Sequence, residues 1–81
     1  MNFRPKNEKE LLAWDLANNL NDTANLPFYI SYANRYSKGI LRKALGDALE
    51  VPANRIRKSR GALFNHLVKK YAGQTNENPG N

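Results

Sequence analysis

Apolar residues recur along this chain at helical spacing in four stretches, separated by asparagine, serine and proline. In the first, Leu12, Leu16 and Leu20 recur every fourth residue with Ala13 and Ala17 beside them. That is the stripe of a helix resting on a core. Asn7 stands where an N-cap is expected, and Glu8 and Glu10 fall in the first turn, where acids suit the positive end of the helix dipole. The pattern predicts a helix over 8–21, ending in the Asn-rich segment Asn18–Asp22. Leu11 and Trp14 lie off the stripe, on a second face that a later helix or a partner must cover.

The second stretch opens at Leu26-Pro27, with proline in the first turn, where its missing N–H has no intrahelical partner. Leu26, Tyr29, Ile30, Ala33 and Tyr36 form a broad apolar face, widened by Phe28 and Tyr32, and predict a helix over 26–36. Phe28–Tyr32 has strand propensity, but a lone short strand has nothing to pair with in a helical chain. The aromatics read as core, with Tyr32 and Tyr36 expected to show an edge; the alternative is stacking on single-stranded bases.

Ser37 is the next N-cap, and Ile40, Leu41, Ala44, Leu45, Ala48 and Leu49 make the third stretch an amphipathic helix over 38–50. Val51-Pro52 ends it, because the residue before proline avoids the helical region. In the last stretch, over 53–72, Ile56, Leu63, Leu67 and Tyr71 share a stripe flanked by Phe64 and Val68. Two forms are open: one helix running through Gly61, or a break there with Ser59 capping a second segment. Gly73 is a natural stop. The expected architecture is all-α, a small orthogonal bundle of about four helices occupying 7–73 as a single domain. It lies between a flexible lead-in, 1–6, and a disordered tail, 74–81.

Charge changes the picture. Between Lys38 and Lys70 stand nine cations and two acids, a balance of +7 in a chain whose total is +6. A field confined to half of a small chain points to a polyanion. Lys38, Arg42, Lys43, Arg55, Arg57, Lys58, Lys69 and Lys70 are the candidate nucleic-acid contacts. In a single helix over 53–71, Arg55, Lys58, Ala62, Asn65 and Lys69 share a face opposite Ile56, Leu63 and Leu67. Arg60 falls near the apolar stripe, where its role is structural. Ser59-Arg60-Gly61 is a candidate phosphate contact at a helix start, although the G-x-x-x-x-G-K-[ST] pattern of a P-loop is absent.

From Leu45 to Ile56 the chain resembles a helix-turn-helix. Leu45, Leu49, Val51 and Ile56 fall at the apolar spacing of that unit, and Gly46 falls at its small position. Glu50 departs from the turn glycine, and Ser59 from an expected apolar residue. The resemblance implies a recognition helix entering the major groove with Arg55, Arg57 and Lys58.

Other classes find little footing. The chain has no cysteine and one histidine, His66, so neither a disulfide nor a usual zinc site is available. No paired carboxylates or nucleophile–base pattern occurs, so no catalytic residue, metal or cofactor is expected. No apolar run approaches membrane-spanning length, and the expectation is a soluble, cytoplasmic protein without a membrane partner. The leading function is that of a small basic nucleic-acid-binding protein, a regulator or accessory factor on double-stranded DNA. The alternative is a protein-interaction module docking an acidic or apolar partner through the basic face or through Leu11 and Trp14. Oligomeric state does not follow from the sequence.

Overall fold

The computed structural model describes residues 3–74. Among them are four α-helices, α1 (Glu8–Asn19), α2 (Leu26–Arg35), α3 (Lys38–Glu50) and α4 (Arg60–Gln74), and no strand. Single 3-10 turns at Thr23–Asn25 and Ala53–Arg55 occupy the two longer connections. The fold is an all-α bundle of two helical pairs, α1 with α2 and α3 with α4, tied together by α1 against α3 and by an aromatic junction.

The caps follow the sequence. Asn7 Oδ1 accepts from the Glu10 N–H at 2.9 Å, and Glu10 Oε1 accepts from the Lys6 N–H at 3.0 Å. This reciprocal arrangement satisfies donors at the start of α1. The other end of α1 is closed by a left-handed residue, Asn21 at φ 54°. The Asp22 N–H reaches the Ala17 carbonyl at 2.8 Å and the Asn21 N–H reaches Asn18 at 3.1 Å, the paired bonds of a Schellman stop. α1 therefore ends two residues before the expected boundary. Ser37 caps α3 by accepting from the Ile40 N–H at 3.3 Å.

The core is continuous. Leu12, Leu16 and Leu20 of the first stripe are buried with Ala13 and Ala17, against Tyr29, Leu41, Phe64 and Val68. Removing such a large side chain from a packed interior costs about 3–5 kcal/mol. Three details differ from expectation. Tyr32 and Tyr36 are buried, and Phe28 is the exposed ring; the Tyr32 hydroxyl is drawn inward because it donates to Asn65 Oδ1 of α4. Leu49, assigned to the core face of α3, is 40% exposed. In α4 the fully buried stripe is Phe64, Val68 and Ala72, while Leu63, Leu67 and Tyr71 are half-buried beside it.

Within the expected lead-in, Phe3 packs against the core. The Phe3 ring lies 5.2 Å from Trp14, between centroids. Apart from Gln74, the last residue of α4, the expected tail lies outside the described residues.

Candidate nucleic-acid interface

α3 and α4 are joined by residues 51–59, and this connection decides where the cations sit. Pro52 is extended, a 3-10 turn spans Ala53–Arg55, and Ile56 returns to extended backbone. The helix resumes only at Arg60, with Ser59 Oγ accepting from the Ala62 N–H at 3.0 Å. The single helix over 53–72 is therefore broken, in the form that Gly61 and Ser59 left open. Its would-be first turns pair Arg55 with Lys58 and Arg57 with Arg60 at i, i+3. Like charges at that spacing oppose a helix, and the serine cap offers the backbone a competing start. The helix after the turn that the helix-turn-helix resemblance requires does not form at that register. Arg55, Arg57 and Lys58 stand on a loop instead.

Arg60 is anchored. Its Nη1 donates to the carbonyls of Ala48 at 2.8 Å and Val51 at 2.7 Å. These carbonyls lie at the C-terminal end of α3, where the helix leaves acceptors without intrahelical partners. The guanidinium thus closes α3 and fixes the start of α4 against it.

The start of α4 is also closed to a free anion on one side. A Cβ added at Gly61 would stand 3.0 Å from Tyr29 Oη and 3.1 Å from Asp22 Oδ2. Only glycine lets those groups come so near without displacement. The Tyr29 hydroxyl donates to Asp22 Oδ2 at 2.7 Å. Burial and this carboxylate push the Tyr29 phenol far above the ordinary tyrosine value. Of the Ser59-Arg60-Gly61 candidate, Ser59 is a cap, Arg60 a clasp, and Gly61 a seat for the protein's own carboxylate.

Arg55, Arg57 and Lys58 converge on a groove of about 530 Å³ floored by Val51, Ile56 and Leu63 and continued by Ala62 and His66 of α4. No acid lines it. Beyond it, Ala62, His66, Lys69 and Lys70 are exposed on the outer side of α4, rising about 12 Å along the helix from 62 to 70. Asn65, expected on this face, turns inward to Tyr32, and His66 takes its place. Sequence spacing pointed to Asn65 because it set Leu63, Leu67 and Tyr71 on the core side of α4, whereas Phe64, Val68 and Ala72 are the buried stripe.

The remaining cations lie elsewhere. Lys38 and Arg42 line a depression of about 440 Å³ between α1, α2 and α3, together with Leu11, Glu8 and Lys9. Lys43 Nζ sits 4.7 Å above the Tyr71 ring, whose hydroxyl donates to Asp47 Oδ2; that bond raises the Tyr71 phenol. Leu11 is 50% exposed, whereas Trp14 is half-buried and covered by Phe3. The two residues therefore do not make one open apolar face. Among the described residues no helix is long and apolar enough to cross a membrane, and no cluster of metal-ligating side chains occurs.

No protein-family model, curated protein or solved structure matches this chain.

Proposed function

We propose that this chain binds nucleic acid through the loop 51–59 and the outer face of α4. The observation that carries this reading is the acid-free groove holding Arg55, Arg57 and Lys58 beside exposed Lys69 and Lys70. The side chains of Arg55, Arg57 and Lys58 have no hydrogen-bond or ion-pair partner among the described residues. A charge with no internal partner is available to neutralise a phosphate and release its counterion. Lys69 and Lys70 extend the contact along α4. Lys38 and Arg42 act, at most, as distant steering charges. The duplex expectation rested on a recognition helix; a cationic loop reads backbone, and regulator or accessory factor describes such a protein equally well.

The test is a fluorescence-anisotropy titration with duplex and single-stranded oligonucleotides at two salt concentrations. Affinity should fall steeply with salt, by about 0.9 log unit per log unit of salt for each duplex phosphate neutralised and about 0.7 for single strands. Replacing Arg55 and Lys58 together by alanine should weaken binding and flatten that slope while leaving helical circular dichroism unchanged. Full affinity in the double variant would end the assignment of this groove.

A further inference from the structure

A second groove lies on the other side of the Ser59–Ala62 ridge. Ser59 and Ala62 line both grooves, so the two are immediate neighbours. The second has a volume of about 350 Å³, and its open wall is Phe28, 44% exposed. The back of that ring is held by Tyr32, with centroids 4.5 Å apart, and its edge by Tyr29 at 5.7 Å. An aromatic ring fixed from behind and open in front is a stacking platform.

The polar lining is as specific as the ring. Asn25 Nδ2 donates to Asp22 Oδ1 at 2.9 Å, which leaves the Asn25 carbonyl oxygen as a free acceptor. Asn65 Oδ1 accepts from the Tyr32 hydroxyl, which leaves the Asn65 amide nitrogen as a free donor. Beside a flat apolar face the groove thus offers the Asn25 oxygen as an acceptor and the Asn65 amide as a donor, together with the Asp22 carboxylate and the Ser59 hydroxyl, a mixed set that an unpaired base edge satisfies. Asp22 repels a phosphate from this side, and no cation lines the groove. The neighbouring groove has the opposite character: three cations and no acid.

We infer that the Phe28 groove receives one unpaired base of a single-stranded nucleic acid, whose backbone crosses the Ser59–Ala62 ridge onto Arg55, Arg57 and Lys58. The inference rests on the nucleic-acid reading and narrows it to single strands. A duplex keeps its bases stacked and paired, so it meets the cations and leaves Phe28 empty.

The experiment compares a labelled single strand of about 12 nucleotides, within the usual range of site sizes, with its duplex, using the full chain. The single strand should bind more tightly. Phe28→Leu keeps apolar volume against Tyr29 and Tyr32 but removes the flat face; it should weaken single-strand binding about tenfold, the order of one lost base stack. Its duplex binding should not change, and Phe28→Tyr should retain single-strand affinity. In the unaltered protein, a strand carrying photoreactive iodouracil should cross-link to Phe28, located by mass spectrometry. This arm does not depend on any variant folding.

The outcomes separate the two levels. If neither nucleic acid binds, the nucleic-acid reading falls and this inference with it. If Arg55→Ala with Lys58→Ala weakens binding but Phe28→Leu does not, the reading stands and the base groove is refuted. A duplex bound as tightly as the single strand, or cross-links that map only elsewhere, also refutes it.

Discussion

Arg60 and its basic neighbours should separate stability from binding. Arg60→Ala removes both hydrogen bonds from Nη1 to the Ala48 and Val51 carbonyls. A bond from a charged donor contributes about 1.5–3 kcal/mol. Arg60 is only half-buried, so water can reach the released carbonyls and recover part of that. The two bonds together should amount to about 2 kcal/mol. For a domain of this size that is a fall in Tm of about 10 °C. Arg60→Lys keeps the charge but not the planar fork, and should recover about half of the loss. The assay is paired urea and thermal denaturation followed by circular dichroism, beside the same measurements on the Arg55→Ala, Lys58→Ala double variant. That double variant should unfold within about 2 °C of the parent, because surface substitutions without partners rarely exceed about 0.5 kcal/mol. A Tm for Arg60→Ala within the same margin would refute the clasp.

The tyrosines give a prediction in pH. Burial raises the Tyr29 phenol and also the Tyr32 phenol, against a smaller lowering from Arg35. A folded-state value above the unfolded one means the contribution is complete below about pH 10, the ordinary tyrosine value, and is lost as pH rises toward the folded value. Phenolate absorbance of the folded chain should therefore develop late for these two residues, with stability declining above that pH; all tyrosines ionising together near pH 10 while the helices persist would contradict it. Gly61→Ala should fail to deliver the gain of about 1 kcal/mol that alanine brings to a helix, because its Cβ would press on Tyr29 Oη and Asp22 Oδ2. Urea denaturation checks this, and a stabilisation of that size would show that the tyrosine yields.

Much of the fold was legible because it is local. The Leu12–Leu16–Leu20 stripe, the Asn7 and Ser37 caps and the stop at Pro52 each depend on residues within a turn or two of one another. The cationic half was legible as charge but not as a surface. Phase along a helix carries a contact to the correct face only if the helix is unbroken, and the connection 51–59 resets it. That single break moved Arg55, Arg57 and Lys58 from a helix onto a loop, and a core stripe of Phe64, Val68 and Ala72 in place of Leu63, Leu67 and Tyr71 exchanged Asn65 for His66 on the outer face. Phe28 was misjudged for a different reason. Its exposure is decided by Tyr32 bonding to Asn65, thirty-three positions away, and no local pattern encodes a pairing at that separation. Arg60 shows the converse, since its place beside the apolar stripe marked it as structural from spacing alone.

The two helical pairs meet through a tyrosine hydroxyl as well as apolar surface: Tyr32 donates to Asn65 across the junction, while the Tyr29–Asp22 pair, held within the first half, rests against Gly61 of the second. Apolar faces tolerate sliding by a fraction of a turn, since one methyl replaces another at little cost. A directional bond does not, and a slip of one pair along the other would leave the Tyr32 phenol without its acceptor and drive the Tyr29–Asp22 pair off its glycine seat. The register between the halves is thus locked by one hydroxyl on α2 and one glycine seat on α4. That lock holds the aromatic ring at 28 in step with the cationic loop.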